Sequence, residues 1–224
     1  MSNDKPIYLD DAKIQWFRSY LQTWAKKHFR QFPWRDTKNP YSILVAEFLL
    51  QKTNAALVLP IYQAFIKKYP TVKDLAKADH RDLQKFLQPL GLSFRAQRLY
   101  QTANAIVENY DGNIPSDEAQ LLKLPGVGKY TARSVCANAF GQSKALIDTN
   151  VARIFERFFG LQGGRVKSRC PILWQAAETV SPISDVGTWN LTLFDFGAAV
   201  CTAKNPQCLE CPISQKCNYF SNCT

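Results

Sequence analysis

Apolar positions recur every three to four residues along most of this chain, the spacing that gathers side chains on one face of an α-helix. Between Ala12 and Phe29 the residues Ile14, Trp16, Phe17, Tyr20, Leu21 and Trp24 keep that period, predicting an amphipathic helix. Phe32-Pro33-Trp34-Arg35 interrupts it, and Asn39-Pro40 opens a second helix that runs to about Thr53. Further helices are predicted over 55–68, 71–77, 79–88, 93–110, 116–123, 128–140, 150–159, 168–181 and 185–198. The punctuation is Pro60, Pro70, Pro89-Leu90-Gly91, Asp111-Gly112, Gly141, Gly160 and Gly163-Gly164, residues that bend or stop helices. No alternating strand run survives inspection, and neither a repeat nor a low-complexity segment is present. The predicted fold class is all-α.

Composition narrows this picture. With 224 residues, 46% hydrophobic and 21% charged, the chain has an ordinary globular mix and enough length to bury a core. Its 28 lysines and arginines exceed its 18 aspartates and glutamates, giving a net charge of +10. The excess is +4 over residues 1–35, +5 over 36–147 and +1 over the remainder, so it is not confined to a tail. Positive charge spread over folded segments predicts a binding face for a polyanion, from which it releases counterions. No segment approaches the roughly 18 consecutive apolar residues of a membrane span, and MSNDKPIYLDD has no apolar signal core. A cytoplasmic, reducing environment is therefore expected, where clustered cysteines suggest a metal site rather than disulfides.

Four of the seven cysteines, Cys201, Cys208, Cys211 and Cys217, are spaced C-x6-C-x2-C-x5-C. Thiolates are soft ligands, and four in a short loop can enclose one compact metal centre. Structural zinc sites of this kind usually pair two tight C-x2-C knuckles, and here there is one. The wider, unequal spacings better suit a chain wrapped around an iron–sulfur cubane. Cys136 and Cys170 read as small buried residues, and Cys223 as a terminal thiol.

Leu124-Pro125-Gly126-Val127-Gly128-Lys129 joins two helical stretches. Gly126 and Gly128 permit a tight turn with close backbone approach, and the following helix offers N–H groups at its start. Such a turn can hold a DNA phosphate without reading sequence, with Lys129 adding a point charge. Some twenty residues later comes Leu146-Ile147-Asp148-Thr149-Asn150, where Asp148 by itself reads as a helix N-cap. Glu47 lies in Ile43-Leu44-Val45-Ala46-Glu47-Phe48-Leu49-Leu50, apolar on nearly every side. A buried carboxylate there is expected to have a raised pKa, suited to a general acid or to a hydrogen-bond donor.

Taken in order, LPGVGKYTA, LIDTNVARI and the terminal cysteine array resemble the helix-hairpin-helix DNA glycosylases with a 4Fe–4S cluster. That superfamily includes endonuclease III, the adenine glycosylases and the thymine–guanine mismatch glycosylases, and the resemblance runs from Phe32 to Cys217. It implies a two-domain fold: a six-helix barrel domain over 36–143, and an iron–sulfur helical domain made of 1–35 and 144–224. DNA is expected between the domains, with Asp148 and Tyr130 at the mouth of the cleft, and Lys204 near DNA.

The resemblance also implies roles. Asp148 matches the essential carboxylate, which would stabilise the positive charge that builds on deoxyribose as the N-glycosidic bond breaks. Strand-cleaving members carry a lysine nucleophile two positions after the last hairpin glycine. Here that position is Tyr130, which forms no Schiff base, implying an enzyme that leaves an intact abasic site. Lys129, one residue away, points about 100° aside on a helix. Glu47 matches a glutamate shared by the adenine and mismatch enzymes; with a pyrimidine it would contact the flipped base. Gln51 matches the residue that fills the gap left by a flipped base, and Leu92 the wedge near the orphaned partner.

Tyrosine within GKYTA most resembles the mismatch enzymes, whereas adenine glycosylases commonly carry serine. Gly91-Leu92-Ser93-Phe94 lacks the Gly-Leu-Gly-Tyr character of the adenine enzymes, and a protein without their 8-oxoguanine-reading domain after Cys217 is expected. The expected function is a monomeric, monofunctional glycosylase acting on thymine or uracil opposite guanine in double-stranded DNA. The alternatives are a short adenine glycosylase acting on A·G or A·8-oxoguanine, and a non-catalytic iron–sulfur DNA-binding protein, which would have no need of Asp148.

Overall fold

The structure, a computed structural model, describes residues 7–91 and 94–221. Every regular element among them is helical, as the periodicity predicts. None of these helices is long and apolar enough to cross a membrane.

The chain divides into two compact units, one made of residues 31–141 and the other of 1–30 with 142–224. The continuous unit holds α2 (Pro40–Leu50), α3 (Ala55–Lys68), α4 (Val72–Ala76), α5 (His80–Leu87), α6 (Phe94–Tyr110), α7 (Glu118–Leu121) and α8 (Lys129–Phe140). Helix α2 is its central element. Asn39 caps it through the Ser42 amide, Pro40 supplies the fixed φ of the first turn, and eight of its eleven residues are buried. A helix that is apolar all round must be enclosed, and α2 packs against α3, α6 and α8. It stops at Leu50 rather than Thr53, and α3 runs unbroken through Pro60.

The discontinuous unit holds α1 (Asp11–His28), α9 (Thr149–Phe159), α10 (Pro171–Val180), α11 (Val186–Ala199) and α12 (Asn218–Ser221). The apolar stripe of α1 is buried here: the Phe17 ring centroid lies 4.6 Å from that of Phe158, 5.2 Å from Phe159 and 5.9 Å from Trp189. The Arg18 guanidinium donates to the carbonyls of Thr179 at 3.0 Å, Val180 at 2.9 Å and Ser181 at 2.6 Å. It thereby satisfies the orphan acceptors at the end of α10 with a positive charge at the favourable pole. Beyond α1, Arg30 pairs at 2.6 Å with the buried Asp195 of α11, whose other oxygen accepts the Arg30 amide at 2.9 Å.

Candidate active site and iron–sulfur centre

Asp148 is the N-cap of α9, with one carboxylate oxygen accepting the Val151 amide at 2.7 Å and the other accepting Asn150 Nδ2 at 3.0 Å. The side chain is half-buried. Burial raises its pKa above the ordinary carboxylate value, against hydrogen bonds from the Val151 amide and from the side chain and amide of Asn150, and against the nearby Arg153 charge. A carboxylate has about four lone-pair sites. About three are engaged inside the protein, by the Val151 amide and by the side chain and amide of Asn150, leaving about one for a ligand.

Asn150 is held in turn. Arg153, one turn along α9, donates to Asn150 Oδ1 and to the Gly197 carbonyl, each at 2.8 Å, and through Nε to the Cys201 carbonyl at 2.7 Å. A continuous hydrogen-bonded path therefore joins the first cysteine of the array to Asp148. Gly197 permits it: a β-carbon there would come within 2.7 Å of Asn150 Cβ. Asn150 and Arg153 both stand in the LIDTNVARI string, but nothing in their spacing reveals this path, because the acceptors come from residues 197 and 201.

All four array cysteines line one cavity, together with Ile154, Phe158, Phe196 and Ile213. Among the described residues no three His, Cys, Asp or Glu side chains converge as a single metal ion requires. Four thiols around one apolar cavity suit a compact centre of soft metal. Burial pushes the Cys211 thiol up to about 12, with the other three cysteines adding repulsion. Ionising Cys211 therefore calls for a cation at this place, which the iron of a cluster would supply. Arg157 closes the loop by donating to the carbonyls of Thr202 at 2.6 Å and Ala203 at 3.1 Å. Cys136 and Cys170 are buried outside this cavity, as expected of small core residues.

In the continuous unit, Glu47 is half-buried on α2 and accepts the Ser134 hydroxyl of α8 at 2.5 Å; Ser134 accepts Asn138 Nδ2 at 3.0 Å. Ser134 and Asn138 are partners that the sequence reading missed, although their spacing of four puts them on one face of α8. Gly128 is the N-cap of α8, Lys129 its exposed first residue and Tyr130 its half-buried second. Gly126 has φ +76°, and a β-carbon there would meet Arg98 Cδ at 3.0 Å and Phe48 Cε1 at 3.1 Å. Gly128, at φ −96°, is different: a β-carbon would meet no protein atom within 4 Å. Gln51 caps the end of α2. The wedge expected at Leu92 and the thiol of Cys223 lie outside the described residues.

Comparison with known proteins bears on this arrangement. Residues 45–174 match the model of the HhH-GPD superfamily of base excision DNA repair proteins, and residues 201–217 match the iron–sulfur binding domain of endonuclease III. A thymine/uracil-DNA glycosylase of Methanothermobacter thermautotrophicus is 37% identical over 96% of this chain and 100% of its own. An adenine DNA glycosylase of Buchnera aphidicola subsp. Baizongia pistaciae is 32% identical over 87% of this chain and 56% of its own. The solved structure of a thermostable thymine-DNA glycosylase superposes with a TM-score of 0.90 at 36% identity, covering 95% of this chain and 99% of that one. The chain belongs to the HhH-GPD superfamily of base excision DNA repair proteins.

Proposed function

We propose that this protein is a monofunctional DNA glycosylase that hydrolyses the N-glycosidic bond of thymine or uracil mispaired with guanine. The observation that carries the reading is Asp148: a half-buried carboxylate fixed as a helix cap by Val151 and Asn150, with its charge held in a partly dehydrated place. As the base leaves, positive charge grows on deoxyribose, and a preorganised anion stabilises it without reorganising. The same oxygens can orient the attacking water. Tyr130 stands where the resembled strand-cleaving enzymes carry lysine, and a phenol cannot form the Schiff base by which a lysine amine bonds to the sugar. Glu47, held by Ser134, is available to the flipped base. Cys201, Cys208, Cys211 and Cys217 would hold a 4Fe–4S cluster, whose iron neutralises the thiolates and fixes the loop between them.

The choice of thymine or uracil over adenine is supported by the higher identity of the thymine/uracil relative and by Tyr130. Base release from duplexes containing T·G, U·G, A·G or A·8-oxoguanine, with and without hot alkali, tests it. Alkali-dependent cutting at T·G and U·G is expected. Cutting only the adenine strand would make the protein an adenine glycosylase, and cutting without alkali would refute the monofunctional reading.

Two further outcomes are expected. Ionised Asp148 is the useful form and burial raises its pKa. The single-turnover rate should therefore fall on the acid side at a pH above the ordinary carboxylate titration at about 4. A flat profile down to that pH would contradict the role. Gly128→Ala clashes with nothing in the protein and keeps an allowed φ. It should therefore leave the melting temperature within about 2 °C of wild type while weakening duplex affinity about tenfold, by obstructing a phosphate at the N-terminus of α8. Equal affinities measured by fluorescence anisotropy would show that DNA does not approach this turn.

A further inference from the structure

Arg95 is fully buried on α6, and neither its Nε nor its Nη1 has a hydrogen-bond partner among the described residues. Its Nη2 donates to the backbone carbonyl of Gln51 and, at 2.7 Å, to the Thr53 hydroxyl. Those acceptors belong to the turn between α2 and α3, where Lys52 adopts φ +55°, a left-handed conformation that side chains disfavour. A buried guanidinium and a strained lysine at one turn are two costs that a plain connection would avoid, and such costs gather at functional places.

The same face of α6 meets the hairpin. Arg95, Arg98 and Thr102 follow at intervals of three and four, which aligns them along the helix. The buried Thr102 hydroxyl lies 2.5 Å from the Pro125 carbonyl and 2.7 Å from that of Arg98, and Gly126 sits close above the Arg98 side chain. One helix face therefore holds, at one end, the turn that presents Gln51 and, a turn or two along, the loop that presents the hairpin amides.

We propose that α6 is the brace that sets the spacing between the residue entering the duplex and the loop gripping its backbone, with Arg95 the positioning residue for Gln51 and Thr102 that for the hairpin. This rests on the glycosylase reading, in which Gln51 fills the gap behind a flipped base and the hairpin holds phosphate. The two ends serve different steps, so their variants separate. Thr102→Val keeps the shape and removes the hydroxyl. It should weaken binding to matched and mismatched duplexes alike by about fivefold, leaving the single-turnover rate at saturation unchanged. Arg95→Met should leave matched-duplex affinity within about twofold and lower both base flipping and the single-turnover rate about tenfold. Flipping is read from 2-aminopurine fluorescence beside the target base. Arg95→Lys keeps the buried charge but loses the fork, and serves in the same test if the methionine variant does not fold. Combined with Gln51→Ala, either Arg95 variant should add less than its single effect, because Arg95 acts through Gln51.

Wild-type flipping in a folded Arg95 variant would overturn the proposal. So would proportionate losses of affinity and rate in both the Arg95 and Thr102 variants, the pattern of general destabilisation. A wild type that flips no target base would instead overturn the glycosylase reading, while matched-duplex affinity of Thr102→Val would still decide the hairpin half.

Discussion

Replacing Asp148 with asparagine should lower the single-turnover rate of base excision by about a thousandfold or more while leaving duplex affinity and the melting temperature close to wild type. The separation follows from the two jobs this side chain performs. Asparagine caps helices as well as aspartate does, so its Oδ1 can still accept the Val151 amide that Asp148 now accepts at 2.7 Å. What disappears is the negative charge. Burial raises the pKa of Asp148, so the ionised form is less favourable in the fold than in the unfolded chain. For such a group the favourable contribution belongs to the protonated state. It is complete below the unfolded value and is lost as pH rises through the raised folded value. At neutral pH the neutral asparagine escapes that cost, which offsets the acceptor withdrawn from Asn150 Nδ2. Base release and thermal melting on the same preparation check both halves. Retained excision would remove Asp148 from the mechanism, and a large fall in melting temperature would make its main role structural.

The second large effect is expected at the cysteine array. Cys211→Ala should abolish bound iron and its visible absorbance and destabilise the discontinuous unit by about 3 kcal/mol or more. Between Ala199 and α12 the only regular element is the 3₁₀ turn Ser214–Lys216, so few backbone hydrogen bonds hold this segment in place. Its order depends on the thiols and on Arg157 and Arg153, which bond to the carbonyls of Cys201, Thr202 and Ala203. With the loop loosened, Arg153 loses its Cys201 acceptor and holds Asn150 with only the Gly197 carbonyl behind it. Excision should therefore fall although Asp148 itself is unchanged. Iron analysis, calorimetry and base release measured together would check this. Normal stability and excision without iron would show that the loop is ordered by the protein alone.

The helices and the site were legible in the sequence to different depths. Periodicity located every long helix, because each buries one stripe or, like α2, nearly its whole surface. Helix ends were less legible where a distant residue decides them. The α2 helix stops three residues early because the Gln51 carbonyl goes to Arg95, 44 residues away. The stretch predicted over 116–123 shortens to one turn because Lys123 and Leu124 bond three residues back as the chain enters the hairpin. The short α12, in a polar stretch with no period to read, was not predicted. Asp148, the hairpin glycines and the cysteine array could be read because their residue types and order are distinctive. Ser134, Asn150, Arg153 and Arg95 could not, since each acts through a partner that only the folded chain supplies.

The division of the chain also bears on its synthesis. The partners of α1 lie at residue 142 and beyond, whereas the other unit is one uninterrupted stretch. At ribosomal rates of about 5–20 residues per second, more than a hundred residues separate α1 from α9, so its apolar stripe waits for several seconds or longer. Throughout that interval Ile14, Phe17 and Leu21, all but fully buried in the finished protein, have nothing of their own to pack against. The nascent chain is thus open to aggregation and to chaperone capture at this helix until Phe158, Phe159 and Trp189 have been made.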